Sequence, residues 1–255
     1  MVPDPGPPMA HAATSEAATN RDHVARLLLV MPAYNEAVRI RGVTEAVRRE
    51  FPGDVLVVDD GSDDDTAEEA RRGGAVVASH PVNLGYGAAL QTGYRYALRH
   101  GYDAVLQLDA DGQHDPRSIP ALLEGLQHAD VVVGSRFLDG SSYRPPLVRR
   151  AGMWLFGRIA SALAGRRITD ATSGFQAISR AALTFYAHER YPVDYPDADV
   201  LAMVARSGLR LAEVPVTMLP SPPGKGMHTG LLKPLYYVFR MSLALFLVPL
   251  RREKR

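Results

Sequence analysis

Short aliphatic runs, RLLLVMP (26–32), DVLVVDD (54–60), AVVASH (75–80), DAVLQLD (103–109) and DVVVGS (130–135), alternate with longer amphipathic stretches through the first half of the chain. The runs lack the in–out alternation of a strand with one wet face, so each reads as a strand buried on both sides. The stretches between them read as helices over 36–50, 64–72 and 87–99, with a further one after Pro116, where proline in a first turn forfeits no hydrogen bond. Buried strands alternating with helices specify the α/β class: a Rossmann-like, mostly parallel sheet flanked by helices.

Beyond Arg136 the rhythm breaks. FLDGSSYRPP reads as a loop, followed by a helix over 148–164, a second loop reaching FQAIS, a helix over 198–207 and a last strand, LRLAEVPV, at 209–216. No internal repeat is visible, so 25–230 is expected to be one domain, with the sheet first and a substrate-specific half second. Residues 1–24 are rich in Pro, Ala and small polar residues and lack the charged start and apolar core of a secretory signal, so they are expected to be a disordered leader.

At the other end LLKPLYYVFRMSLALFLVPL (231–250), apolar around most of a helix's circumference, runs into RREKR. Arg240 interrupts it, and the stretch from 234 to 250 falls short of the ~20 residues a spanning helix needs. Lys233, Arg251, Arg252, Lys254 and Arg255 suit anionic lipid headgroups. Residues 231–255 are therefore expected to form an apolar interfacial helix with a basic tail at a membrane surface; a core helix with a basic end is the plainer alternative. Net charge is +1, so the overall field does not favour nucleic acid. The absence of cysteine excludes disulfides and thiolate zinc sites and fits a location facing the cytosol rather than a secreted one.

Ligands of open parallel sheets gather at the carboxyl ends of the strands. Here those ends carry PAYNE (32–36), DDGSDDDT (59–66), HPVNLGYGAA (80–89) and DADGQH (109–114). Asp109 and Asp111 flank Ala110 where the fourth strand gives way to a loop. Two carboxylates so close repel unless a cation joins them, and a hard ion such as Mg²⁺ or Mn²⁺ prefers oxygen donors. A solvated acidic turn is the other reading, disfavoured because a buried strand end restricts solvation. Gln113 adds a neutral oxygen, whereas His114 suits so hard an ion less well.

In DDGSDDDT, Asp64, Asp65 and Thr66 are expected to cap and start a helix, while Asp59 or Asp60 could accept hydrogen bonds from a nucleobase or ribose. NLGYGAAL (83–90) fails the dinucleotide fingerprint, since its third glycine is missing and it follows the third strand; Gly85 and Gly87 are expected to allow close backbone approach and to start a helix. PPGKGMHT (222–229) has the wrong spacing for a phosphate loop and reads as a basic lid or an ordinary surface loop. Arg136, Arg144, Arg149 and Arg150 form either a solvated basic face or a grip for an anionic acceptor, because guanidinium offers phosphate paired donors.

Taken in order, PAYNE, VVDDGSDDDT, NLGYGAA, LDADGQHDP, VVGSRF and DATSGFQAIS resemble family 2 glycosyltransferases of the GT-A fold, most nearly the dolichyl- or polyprenyl-phosphate sugar synthases. The resemblance spans about 27–216. It implies that Pro32, Ala33, Tyr34, Asn35 and Glu36 line a nucleotide pocket, with Asp59, Gly85, Gly87 and Ala110 around it, and that Asp60 reads the base. It implies that Asp109 and Asp111 hold Mg²⁺ or Mn²⁺ on the donor diphosphate with Gln113 as a further ligand, that Arg136 lies near the phosphates, and that Arg149 or Arg150 binds the acceptor phosphate. The helix at 148–164 matches an interfacial helix of that branch. Many members carry spanning helices at the C-terminus; this chain departs from them, which implies peripheral attachment at the cytoplasmic face or a small membrane-protein partner.

The expected reaction is therefore transfer of a sugar, with inversion, from a UDP- or GDP-sugar to a polyprenyl phosphate. That acceptor is already anionic at neutral pH, its second pKa being ~6, and needs no base. A carbohydrate hydroxyl acceptor would need one, from Asp170, Asp197 or Asp199; Asp170 is better suited to ordering the DATSGF loop. A nucleotidyltransferase is disfavoured because PAYNE is not the basic, glycine-rich loop such enzymes place after their first strand. A non-catalytic nucleotide-sugar-binding module is the remaining alternative.

Overall fold

The computed structural model describes residues 25–138, 147–188, 191–192, 196, 198–220, 243 and 246, with 147–149 and 151 described by backbone alone. The leader, the 222–229 loop, Arg144, Asp197 and most of 231–255 lie outside the described residues; within the last segment Leu243 and Phe246 are helical and exposed. Among the described residues no helix is long and apolar enough to cross a membrane.

The first half follows the expected alternation: β1 (Leu27–Ala33), α1 (Ala37–Glu50), β2 (Asp54–Asp59), α2 (Thr66–Arg72), β3 (Val76–Ser79), α3 (Tyr86–Arg99) and β4 (Ala104–Gln107). A 3-10 turn at Pro116–Ser118 then opens α4 (Ile119–Gly125), before β5 (Val131–Ser135). The second half holds α5 (Leu147–Ala164), β6 (Gln176–Ser179), α6 (Arg180–Tyr186), α7 (Ala198–Arg206) and β7 (Leu211–Pro215). The 7-stranded sheet runs β3-β2-β1-β4-β6-β5-β7. β1 to β4 pair in parallel, as do β5 and β7, whereas β6 is antiparallel to both β4 and β5. The α/β class and the flanking helices stand as expected.

Two parts of the expectation need correction. FQAIS is not the end of a loop: Gln176–Ser179 is a strand inside the sheet and separates β5 from β4, and a short helix follows it. A four-residue segment with polar ends carries little intrinsic strand signal; its neighbours on both sides make it one. The fourth strand also stops at Gln107, short of the expected 109, so that Asp109 leaves the ladder.

Alternate residues of each central strand enter opposite cores. Leu28, Val30, Leu56, Val58 and Val105 face α3, α5, α6 and α7 through Leu90, Tyr94, Phe156, Leu183 and Leu201. Leu29, Met31, Val55, Val57 and Leu106 face α1 and α4 through Ile40, Val47, Ile119 and Leu122. On α3, Gly93 allows close approach: a Cβ there would lie 2.2 Å from Val30 Cγ1. This two-sided burial holds the carboxyl ends of β1, β2 and β4 in one crevice.

Candidate active site

The loop after β1 and the loop after β2 are laced together. Asn35 sits at φ 56, a left-handed conformation that its short polar side chain tolerates. Its amide donates to Ser62 Oγ at 3.0 Å, and its Oδ1 accepts the Asp63 amide at 2.9 Å. The Glu36 amide donates to Thr66 Oγ1, and the Ala37 amide to Asp64 Oδ2. Asp64 also accepts the amide and hydroxyl of Thr66, where α2 begins, whereas Asp65 makes no capping bond through its side chain. Burial works against the Asp64 charge, but these hydrogen bonds hold its carboxyl below the ordinary value. Pro32 and Ala33 are buried, and Tyr34 is 44% exposed over the loop.

At the end of β2, Asp59 Oδ1 accepts the Ser62 amide. The buried Asp60 carboxylate faces inward, towards the next loop. Its Oδ1 meets His80 Nδ1 at 2.7 Å and the Leu84 amide at 2.9 Å, and its Oδ2 accepts the Gly85 amide at 2.8 Å. Gly85, at φ 99, turns the chain into α3. Gly87 is buried in the first turn of that helix.

The floor of the crevice is built at the end of β4. Asp109 Oδ1 accepts the Tyr86 hydroxyl at 2.7 Å, and Oδ2 lies 3.1 Å from His114 Nε2. Asp111 accepts the amide and the side-chain nitrogen of Gln113, at 2.9 and 2.7 Å. Gly112, at φ 76, makes the turn between them. Burial raises the Asp111 carboxyl above its ordinary value and the Asp109 charge raises it further. Burial opposes the Asp109 charge too, but His114, the Tyr86 hydroxyl and the Arg136 charge outweigh it and hold that carboxyl low. His114 is buried against the Phe175 ring, 5.0 Å between centroids, and its Nδ1 finds no partner among the described residues. The loop is pinned from behind by the chain after β7, where the Leu219 amide donates to Gln113 O and the Asp115 amide to Thr217 O.

Arg136 and Asp170 meet beside this floor. Asp170 accepts the Arg136 amide, Nε and Nη2, and Arg136 Nη2 also reaches Thr172 Oγ1. Glu213 of β7 accepts the amides of Thr169 and Asp170, fixing the start of the DATSGF loop. That loop then passes so close to the crevice that a Cβ on Gly174 would lie 2.7 Å from Asp109 Oδ2.

The fold thus brings Asp109, Ala110, Asp111, Gln113, Arg136 and Asp170 together and sets 32–36 and Asp59–Asp60 beside them. Arg150 is exposed in the first turn of α5, and the Arg149 side chain lies outside the described residues. Asp199 is fully buried on α7, close enough to Tyr186 to raise its hydroxyl's pKa further, after burial and Tyr94. Tyr86, Gly174 and Gln107 have no part in the sequence expectation. The one signal available for Tyr86 was its place between two glycines at a strand-to-helix turn.

Among the described residues no three His, Cys, Asp or Glu side chains gather to hold a metal. Two carboxylates alone still fit a hard divalent ion, which takes one or two protein carboxylates and completes its shell with substrate phosphate and water. Burial and the neighbouring Asp109 charge raise Asp111, and a cation would relieve the second.

The family model described as glycosyl transferase family 2 matches residues 28–185. The chain is 33% identical over 215 residues to an undecaprenyl-phosphate mannosyltransferase of Micrococcus luteus, covering 80% of this chain and 88% of that one. It is 30% identical over 221 residues to a polyprenol monophosphomannose synthase of Mycolicibacterium smegmatis, covering 80% and 82%. In fold it is similar to glucosyl-3-phosphoglycerate synthase from Mycobacterium tuberculosis, solved with Mn²⁺, UDP-glucose and phosphoglyceric acid: TM-score 0.69, 22% identity, 91% of this chain and 82% of that one.

Proposed function

This chain belongs to glycosyl transferase family 2 and is a glycosyltransferase, and from that premise we propose that it moves a sugar from a nucleoside-diphosphate donor to a polyprenyl phosphate. The observation that carries the acceptor assignment is the Arg136–Asp170 pair. A hydroxyl acceptor needs a carboxylate free to take its proton, and of the two candidates among the described residues Asp170 is bound to a guanidinium while Asp199 is buried; Asp197 lies outside them. A phosphate acceptor needs no base. The relatives named for undecaprenyl phosphate and polyprenol support the same assignment.

In this reading the nucleotide lies over 32–36, with the ends of β2 and α3 (Asp59, Asp60, Gly85 and Gly87) around it. Asp109 and Asp111 would hold Mg²⁺ or Mn²⁺, with Gln113 beside them. The cation would supply Lewis-acid stabilisation of the charge that grows on the departing diphosphate. Arg136, held by Asp170, adds fixed positive charge behind Asp109. An acceptor phosphate oxygen attacks the anomeric carbon as the bond from that carbon to the diphosphate oxygen breaks, which inverts the centre and releases the nucleoside diphosphate without proton transfer. Arg149 and Arg150, at the start of α5, are the candidates to orient the acceptor. On α5, Arg150, Trp154, Leu155 and Arg158 are exposed, a mixed cationic and apolar surface suited to peripheral contact with the cytoplasmic face of a membrane.

The test is sugar transfer into an organic-extractable product. Purified protein receives Mn²⁺ or Mg²⁺, a short polyprenyl phosphate and, separately, labelled UDP-glucose, GDP-mannose or UDP-N-acetylglucosamine. Label in the lipid phase that disappears in Asp111→Ala is expected. Metal-dependent donor hydrolysis with no lipid label would move the acceptor to a carbohydrate.

A further inference from the structure

We infer that Tyr86 is a positioning residue that fixes Asp109 for its cation, and that Asp60 serves this by anchoring the turn that delivers Tyr86; the inference rests on the metal-dependent reading above. A carboxylate on a short side chain at a strand end can rotate, and a cation bound to it must then wait for one rotamer. Here rotation is blocked from both sides. Tyr86 donates to Oδ1 at 2.7 Å while His114 Nε2 stands 3.1 Å from Oδ2. The Tyr86 hydroxyl is itself held, accepting from Gln107 Nε2 at 3.1 Å. Gln107 Oε1 in turn accepts the hydroxyl of Tyr94, which is wedged edge-on against Tyr186 and Tyr191 with centroids 5.4 and 5.6 Å away. A tyrosine hydroxyl that accepts one hydrogen bond and donates another has its proton direction set.

The backbone of Tyr86 is fixed as firmly. Asp60 binds the amides of Leu84 and Gly85, the two residues before it, and the left-handed Gly85 aims the first turn of α3 at β4. Across the crevice, Gly174 closes the arrangement. A Cβ there would stand 2.7 and 2.9 Å from the two Asp109 oxygens and 2.9 Å from the Tyr86 hydroxyl, so the wall admits only hydrogen at that point. Gly174 has no positive φ, so alanine there takes no left-handed backbone, and the nearest atoms it meets are those of the Asp109–Tyr86 contact.

The experiment compares Tyr86→Phe and Gly174→Ala with wild type by titrating Mn²⁺ alone and reading free Mn²⁺ by electron paramagnetic resonance. Partners that orient a metal ligand govern affinity by roughly 10–100-fold. Both variants are expected to weaken Mn²⁺ binding by about tenfold and to raise the Mn²⁺ needed for half-maximal transfer by the same factor, with kcat at saturating Mn²⁺ kept within about twofold. Tyr102→Phe is the control: it removes another tyrosine-to-carboxylate hydrogen bond of 2.7 Å, to Asp54, at the opposite end of β2, and should lower stability without moving Mn²⁺ affinity. Wild-type affinity retained in both variants would overturn the positioning role alone. Transfer by wild type that persists undiminished in EDTA would overturn the metal-dependent reading beneath it; where wild type binds Mn²⁺ only with the donor, the Mn²⁺ needed for half-maximal transfer decides the positioning role.

Discussion

Asp170 accepts two side-chain nitrogens of Arg136, Nε at 2.6 Å and Nη2 at 2.7 Å, and the two residues are only 1% and 5% exposed. Such a pair contributes little against an apolar replacement of both partners, but removing one leaves a buried charge uncompensated, at about 3–5 kcal/mol. Asp170→Asn is expected to lose stability on that scale in urea denaturation, and Arg136→Met with Asp170→Leu to recover much of it. The pH dependence of kcat in the folded fraction of Asp170→Asn should match wild type. A variant of undiminished stability whose kcat falls and loses its acidic limb would instead make Asp170 a general base.

Gly93 and Val30 set the approach of α3 to β1. Alanine at 93 would place its Cβ 2.2 Å from Val30 Cγ1, and overpacking of a dense core costs about 1–3 kcal/mol. Gly93→Ala should therefore destabilise despite its better helix propensity. Val30→Ala should be less damaging in the Gly93→Ala background than in wild type, a coupling measurable by a double-mutant cycle. Additive effects would mean that the helix shifts freely.

The first strands were legible because each is a run of branched residues that only a doubly covered sheet can bury. β6 was not, because QAIS becomes a strand through pairing with β4 and β5, up to 75 residues distant in register. The acidic pair at Asp109 and Asp111 was legible as chemistry for the opposite reason: like charges so close demand an explanation wherever they fold. Asp60 and Arg136 are harder to read. A charged residue at a strand end announces that something polar lies near it, but not whether that is a ligand or a buried neighbour such as the Gly85 amide or Asp170. Tyr86 reaches Asp109 across 23 positions, through a turn whose geometry only the folded chain defines.

Asp130 ties the start of β5 to the start of β7, accepting the amide and guanidinium of Arg210. The Arg210 hydrogen bond, ahead of a smaller opposing effect of burial, holds the carboxyl below its ordinary value. A carboxyl that is more acidic folded than unfolded adds stability above its unfolded pKa, about 3.9, and that stability is lost as pH falls through the folded value. Asp130→Asn should therefore lower stability at neutral pH and flatten the acid limb of stability against pH. An unchanged acid limb would remove this pair from the acid response.

Asp111 should oppose folding at neutral pH while it prepares a cation site, because its carboxyl is raised in the fold. Burial and the Asp109 charge raise its carboxyl more than the Gln113 amide and His114 lower it, and in EDTA no cation offsets the remainder. Asp111→Asn removes one charge, and Gln113 can turn its amide to meet the new side chain. The variant is expected to melt ~2–4 °C higher in EDTA, the shift that about 1 kcal/mol produces in a chain of this size. Mn²⁺ should raise the wild-type Tm, since it binds the folded state, and leave the variant's unchanged. Transfer should fall roughly 10²-fold or more, the scale on which loss of one preorganised electrostatic group acts. Melting at or below the wild-type temperature in EDTA would show that Gln113 and its surroundings already neutralise the pair, and would leave a cation nothing to relieve there.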